Sequence, residues 1–250
     1  MPEPTKPKTA LITGGAGGIG SAAARKLLER NYSVVIAGRN ADALGRAAKE
    51  LGSANVLSVP TDVADPKQCT HLVERAKTFT GRIDVLINAA GYAPMLPNTE
   101  ITPDQWRQII DINLSSVFFM TQAVWPVFGA QYEQSRTTGG LGVGGVIVNI
   151  SSVAARNPFA GLGAYAAAKA GVNMLTLSAA REGKDIGVRV VGIGFGAVET
   201  KMLRDLPIAS KIPAADILSP ADAADAVLSA IDGGLAYASG ETVYIHRGVR

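Results

Sequence analysis

Within residues 157–180, "NPFAGLGAYAAAKAGVNMLTLSAA", Lys169 is the only charged side chain before Arg181, and Tyr165 stands four residues ahead of it. On a helix that spacing puts phenol and ammonium one turn apart on the same face. A phenol with an ordinary pKa of about 10 is a weak base at neutral pH, but an adjacent ammonium favours the phenolate and lowers that value. The pair could then exchange a proton with a carbonyl or alcohol oxygen. The same two residues could equally be a core-filling tyrosine and a lysine whose stem snorkels out of an alanine-rich face. A hydroxyl from Ser151 or Ser152, at the end of the strand candidate "VIVNIS", would add a hydrogen bond to a reacting oxygen. The loop "NAAG", Asn88 to Gly91, brings backbone to the same edge.

Two glycine runs fit G-x-G-x-x-G: Gly15, Gly17 and Gly20 in "TGGAGGIG", and Gly140, Gly142 and Gly145 in "GGLGVGG". Their flanks separate them. The first follows the strand candidate "KTALIT" and opens the helix candidate "SAAARKLLER", so its amides and the helix N-terminus can face a pyrophosphate. The second follows the polar end of a long helix and leads into "VIVNIS", and it reads as a flexible connection. The first run also lacks the Lys-Ser/Thr of a P-loop, which argues against a nucleotide hydrolase. A dinucleotide site that prefers NAD(H) places an acidic residue on the ribose 2′-OH about 20 residues further on. Here the second strand, "VVIAGRN", ends in Gly38-Arg39 with no carboxylate. Arg39 could bind a 2′-phosphate, which favours NADP(H) over NAD(H), or it could cap a loop into solvent. Asp62, in "PTDV", stands where it could meet an adenine or serve as a turn or helix cap.

The elements that must position these residues alternate in type. "KTALIT", "YSVVIA", "VLSVP", "IDVLIN", "VIVNIS", "GVRVVGI" and "ETVYI" are strand candidates, several of them nearly continuous Val/Ile/Leu. Helices are expected near 20–30, 40–51, 66–79, 103–130, 164–182 and 219–232. This alternation predicts an α/β fold of the Rossmann type, a doubly wound parallel sheet with helices on both faces. Ligands of such sheets collect at the carboxyl ends of the strands, where strand order reverses. A chain of 250 residues is of single-domain size, so 8–250 reads as one dinucleotide-binding domain and 1–7, "MPEPTKP", as a flexible tail.

Composition narrows the classes. Hydrophobic residues at 47% and charged ones at 18% are an ordinary soluble balance, which excludes a disordered body. Cys69 is the only cysteine and His71 and His246 the only histidines, so neither a disulfide nor a usual zinc set is expected. A net charge of +3 would suit nucleic acid only if clustered, whereas basic residues gather at the ends, in "KPK" and "HRGVR"; no nucleic-acid partner is expected. The first residues lack the apolar stretch of a signal peptide, and no 18-residue apolar run is present, so no membrane partner and a cytoplasmic location are expected.

Taken in order and spacing, these motifs resemble the short-chain dehydrogenase/reductase family, of the single-domain type, over essentially the whole chain. The resemblance is carried by "TGGAGGIG", Asp62-Val63, "NAAG", Asn113 inside the fifth helix, a serine 13 residues before the tyrosine, and Y-x-x-x-K. It implies Tyr165 as general acid in reduction or base in oxidation, with Lys169 lowering its pKa and binding the nicotinamide ribose. It selects Ser152, rather than Ser151, to orient the substrate oxygen, and has Asn113 hold a water that links Lys169 to solvent. The cofactor set it implies is Thr13, Gly14, Gly18, Ile19, Gly20, Arg39, Asp62, Val63, Asn88, Ala89, Gly91, Tyr165, Lys169 and Gly196.

The activity expected is NADP(H)-dependent interconversion of a ketone or aldehyde with an alcohol. Alternatives are a 3-oxoacyl-thioester reductase, for which Arg156, Lys201, Arg204 and Lys211 would meet an acidic carrier protein, an NAD-linked alcohol dehydrogenase, and a non-enzymatic NADP(H)-binding sensor or scaffold. The loops "GYAPMLP", "ARNPFAG" and "GFGAVETKML" are largely apolar and suggest an uncharged, hydrophobic small-molecule substrate. The resemblance also implies a homodimer or homotetramer built on the helices of Asn113 and Tyr165. Three features depart from the family pattern. Gly194-Phe195-Gly196 replaces Asn-Pro-Gly and predicts a mobile or reshaped loop. His246-Arg247 stands where relatives carry Asp-Gly-Gly. A short lid from about 197 to 219, broken by Pro207 and Pro213, predicts an open pocket.

Overall fold

All seven apolar runs form strands in the computed structural model, which describes residues 7–140 and 142–248; most of the expected tail lies outside the described residues. The strands are β1 (Thr9–Thr13), β2 (Ser33–Gly38), β3 (Val56–Pro60), β4 (Val85–Asn88), β5 (Gly145–Ser152), β6 (Val188–Phe195) and β7 (Thr242–Ile245). They pair in parallel in the order β3-β2-β1-β4-β5-β6-β7. Every residue of β1 and β4 is buried, as strands covered on both faces require, while the edge strand β7 is half-buried throughout. Chain order reverses between β1 and β4, which opens a crevice at the carboxyl edge there.

Helices α1 (Gly18–Glu29), α2 (Ala41–Leu51) and α8 (Pro220–Ile231) cover one face, over Ala10, Ile12, Val34 and Ile36. Helices α3 (Pro66–Thr80), α5 (Ser116–Thr137) and α6 (Gly163–Gly183) cover the other, over Leu11, Val35, Leu86 and Ile147. In α1 the buried residues Gly20, Ala23, Ala24 and Leu27 make one apolar stripe. Local signals fix the ends. Asp65 caps α3 by accepting from the Lys67 amide at 2.8 Å, Pro66 follows, and Gly81 closes the helix at φ 84°. The helix expected over 103–130 is α4 (Pro103–Ile110), a π-helical turn at Asp111–Ser115 and α5, which runs on to Thr137. A short α7 (Lys201–Arg204) lies in the lid. No helix of the described residues is long and apolar enough to cross a membrane.

The "GGLGVGG" connection, expected to be flexible, is packed over its described part. A Cβ on Gly142, at φ 71°, would stand 2.6 Å from the Tyr132 ring, and one on Gly145 2.5 Å from the Phe128 ring. Gln131 holds the Gly144 carbonyl at 3.0 Å. These glycines let the chain pass close under α5 instead of supplying slack. Gly45 is a contrasting case: it is exposed in the middle of α2 and an added Cβ meets nothing within 4 Å. Gly45→Ala is therefore expected to stabilise the fold by about 0.5–1 kcal/mol through helix propensity, read as a higher urea midpoint. An unchanged midpoint would contradict this account of α2.

Candidate active site

Strand β5 ends in two serines whose side chains leave on opposite faces. Ser151 turns into the protein, where its Oγ donates to Asn173 Oδ1 at 2.6 Å. Ser152 faces a cavity of about 170 Å³, and its Oγ accepts from the Ala154 amide at 3.1 Å. Helix α6 presents Tyr165 to the same cavity and, one turn later, Lys169, which is 3% exposed. Lys169 Nζ donates to the Ile150 carbonyl at 2.8 Å and lies 5.7 Å from the centroid of the Tyr165 ring. Phenol, hydroxyl and ammonium thus share one wall; Ser151 also borders the cavity, but its hydroxyl is engaged by Asn173.

Burial pushes the Tyr165 phenol up to about 12, against a hydrogen bond from Ser152 that draws it down. Burial also draws Lys169 down to about 8. Desolvation outweighs the Ser152 bond, and the lowering by Lys169 that the resemblance implies is not among the causes of this shift. A neutral phenol is a proton donor at physiological pH, which suits delivery of a proton more than its removal.

Asn113 sits fully buried in the π-helical turn. Its Nδ2 donates to the carbonyls of Tyr92 at 2.7 Å and Ile109 at 2.8 Å, and its Oδ1 accepts from the Tyr92 amide at 3.1 Å. One donated bond and the accepted one tie the loop after β4 to the helix, while the other donated bond stays within the helix, so the side chain acts as a staple.

The glycine loop after β1 has the form of an anion cradle. The cap residue of α1, Gly17, offers no side-chain hydrogen bond, and among the described residues nothing accepts from the amides of Gly18, Ile19 and Gly20. Such free amides at a helix N-terminus suit a phosphate. Gly14, at φ 66°, crosses the chain after β4 so closely that a Cβ would stand 2.7 Å from the Ala89 carbonyl oxygen. Thr13 Oγ1 accepts from the amides of Ala89 at 3.2 Å and Ala90 at 3.3 Å, which fixes the two loops to each other. Ile19, Ala89, Gly91 and Gly196 line the cavity itself. The residues present therefore fit a dinucleotide.

The adenosine end is less uniform. Arg39 is exposed just beyond β2 and has no ion-pair partner among the described residues. Asp62 Oδ1 accepts from the Ala64 amide at 3.1 Å, so the turn role is real. Val63 is buried in the core, which leaves only its main chain to meet a ligand. Asn88 Nδ2 donates to Asn149 Oδ1 at 2.9 Å, and its own buried Oδ1 has no partner.

Two of the departures from the family pattern meet in one place. Strand β6 continues through Gly194 and Phe195, where a loop was expected, and in its parallel register Gly192 pairs with Thr242 and Gly194 with Tyr244. A Cβ on Gly192 would stand 2.4 Å from Thr242 Oγ1, one on Gly194 2.6 Å from the Tyr244 ring, and one on Gly196 2.7 Å from His246 Cβ. Alternate glycines of β6 thus receive alternate side chains of β7 and of the residue after it. Tyr244, laid over Gly194, accepts from Asn173 Nδ2 at 2.8 Å and carries the Arg156 guanidinium 3.8 Å above its ring.

Beyond the reaction cavity opens a second chamber of about 620 Å³. Val153, Asn157, Phe159, Ala197, Ile208 and Ile212 line both, so the two form one cleft. Thr200 lies in the expected pocket wall "GFGAVETKML", whereas sequence reasoning missed Leu206, Ile208 and Ile212 of the lid. Thr200 packs its methyl where a Cβ on Gly18 would stand 2.6 Å away, and its Oγ1 accepts from the Leu203 amide at 3.3 Å. A threonine ahead of a short amphipathic stretch is a helix-cap signal, and Thr200 caps α7. Of the four basic residues expected to meet a carrier protein, Lys201 pairs with Asp205 at 2.6 Å and Arg204 with Glu199 at 2.7 Å.

Known proteins agree with this geometry. The chain is 34% identical over 252 residues to an acetoacetyl-CoA reductase of Acinetobacter sp. (strain RA3849), covering 97% of each. It is 33% identical over 224 residues, 90% of each, to an oxidoreductase of Staphylococcus aureus (strain N315). Among solved structures, a 3-ketoacyl-(acyl-carrier-protein) reductase from Brucella melitensis complexed with NADH superposes with a TM-score of 0.86 at 27% identity, over 96% of this chain and 97% of that one. A short chain dehydrogenase from Mycobacterium smegmatis superposes at 0.81 and 30% identity, over 96% and 91%. The family pattern described as short chain dehydrogenase matches residues 8–210, and the chain is an oxidoreductase belonging to that family.

Proposed function

We propose that the protein reduces a ketone or aldehyde to an alcohol with NADPH and, in the reverse direction, oxidises the alcohol with NADP+. The observation that carries this reading is the meeting of Ser152, Tyr165 and Lys169 on one wall of a cavity that also borders the free helix N-terminus of α1. The nicotinamide, when bound, supplies or takes up the hydride. The amides of Gly18, Ile19 and Gly20 hold its pyrophosphate and Arg39 its 2′-phosphate. Lys169 holds the ribose hydroxyls, Ser152 donates a hydrogen bond to the carbonyl oxygen, and Tyr165, kept neutral by burial, gives that oxygen its proton.

The walls around Tyr165, which include Phe159, Leu162, Val198 and Leu206, are apolar, so the reacting part of the substrate is uncharged. A second reading, reduction of a 3-oxoacyl thioester, is supported by the activities for which the Acinetobacter and Brucella relatives are named. Turnover of acetoacetyl-CoA against simple ketones separates the two. The exposed side chains of Trp106 on α4, Phe118 on α5 and Met174 on α6 support self-association through these helices, in a cytoplasmic enzyme.

Fluorescence titration with NADPH and NADH under identical salt tests the cofactor. NADPH is expected to bind about tenfold or more tightly than NADH, and Arg39→Ala to remove most of that difference, as loss of a charge-assisted pair should. Equal binding of both nucleotides to the unaltered protein would instead indicate an NAD(H)-linked enzyme.

A further inference from the structure

The outer chamber has a feature the reductase reading does not use. Arg156 lies four residues beyond Ser152 and lines the chamber together with Met95, Phe159, Ile208, Ile212 and Lys211. Its guanidinium rests 3.8 Å above the Tyr244 ring and has no carboxylate partner among the described residues. Asp216, the acidic residue on the same rim, is engaged in an interaction of its own.

The seat under Arg156 is built. Tyr244 lies flat only because Gly194 has no side chain, and its hydroxyl is fixed by Asn173. Asn173 Oδ1 in turn accepts from Ser151 at 2.6 Å and from Thr242 at 3.2 Å. The platform is thus tied by hydrogen bonds to the strand that carries Ser152. A guanidinium stacked face-on to an aromatic ring keeps its N–H edges free, in a planar fork that matches a carboxylate or phosphate. Holding the side chain there in advance reduces the ordering cost of binding. Between this cation and Tyr165 the shared walls are apolar except for Asn157, and the space is much larger than the reaction cavity.

We propose that Arg156, seated on Tyr244, is a specificity-determining anion site at the far end of the substrate cleft. The substrate it selects is an oxo compound with an apolar chain that ends in a carboxylate or phosphate. This deepens the reductase reading and rests on it for the identity of the reacting group. The uncharged end of such a molecule enters the cavity at Tyr165 and the anion stays at the rim.

Calorimetric titration with hexanoate, hexyl phosphate and hexanamide tests the anion site without turnover. At least one of the two anions is expected to bind about tenfold or more tightly than the neutral amide, the scale of one charge-assisted bond. Arg156→Ala should erase the preference and Arg156→Lys, which keeps charge but not the flat fork, should restore part of it. Tyr244→Leu should weaken it while Tyr244→Phe, which keeps the ring, retains most. The tighter of the two anions identifies the terminal group. Equal binding of anion and amide, or a preference that survives Arg156→Ala, overturns the proposal.

A second arm compares kcat/KM for 5-oxohexanoate and its methyl ester, and for longer homologues, with NADPH. The acid-to-ester ratio should exceed about ten at the best length and fall to near one in Arg156→Ala. Reduction of both at equal rates overturns the inference and leaves the reductase reading intact. Failure to reduce either, with Arg156-dependent hexanoate binding present, supports the anion site and removes the reductase reading.

Discussion

Tyr165→Phe is expected to lower the rate of carbonyl reduction by about 10³-fold, within the range that a positioned general acid contributes. The substitution keeps the ring that fills the cavity wall and removes only the hydroxyl, so NADPH affinity should change far less than turnover. The pH dependence carries a second signature. With its phenol pushed up to about 12 by burial, Tyr165 is protonated through the physiological range. Reduction uses the protonated form and should not gain from acid on account of this residue. Oxidation of the alcohol uses the phenolate, whose fraction grows about tenfold per pH unit below the pKa, so the oxidative rate should climb steeply with pH. In Tyr165→Phe that climb should vanish along with the rate. A variant that kept turnover within about tenfold of the unaltered protein would transfer the proton-donor role to another group, with Ser152 the nearest candidate.

The features readable from the sequence are those set by local pattern. Several strands, buried on both faces, show as nearly unbroken Val/Ile/Leu, the shorter edge runs stand between turn signals, and Tyr165 and Lys169 declared their shared face by a spacing of four. The glycine loop was recognisable because its flanks, strand before and helix after, are also local. What escaped depends on distant elements meeting. The sign of the Tyr165 shift follows from how completely neighbouring loops exclude water, which spacing does not report. Asn113 was visible as a polar residue inside a helix, but its engagement with Tyr92 requires the loop after β4 to fold over the π-helical turn. The contact of Arg156 with Tyr244 passes through the registers of β5, β6 and β7. Its one local trace was the alternation of glycines in "GIGFG", where the resemblance suggested an unusual loop and the chain makes a strand with room beside it. Glycines also misled in "GGLGVGG", since the same residue serves slack and close packing alike.

The second large effect is expected at Gly20. A Cβ there would stand 2.4 Å from the Gly14 carbonyl oxygen and 3.0 Å from both Gly14 C and Gly15 Cα, all of them backbone atoms that no rotamer change can move. Gly14 itself is confined by the chain at Ala89, so the glycine loop cannot retreat into the sheet. The same Gly14 carbonyl accepts from the Gly17 amide at 2.9 Å, the bond that turns the chain into α1. Gly20→Ala must therefore shift that carbonyl, open the turn and displace the amides of Gly18 and Ile19 together. We expect a loss of NADPH affinity of about 100-fold or more and a fall in stability of about 1–3 kcal/mol, the usual cost of forcing a methyl into packed structure. Gly45→Ala supplies the matched control, since it adds the same methyl to a helix where nothing is displaced. Parallel urea melts and NADPH titrations of the two variants should move in opposite directions for stability and, for binding, only at Gly20. Normal NADPH affinity in Gly20→Ala would mean that the pyrophosphate does not rest on the N-terminus of α1. The nucleotide would then have to be sought elsewhere along the carboxyl edge, because the remaining contacts attributed to it, from Arg39 to Lys169, take their geometry from that anchor.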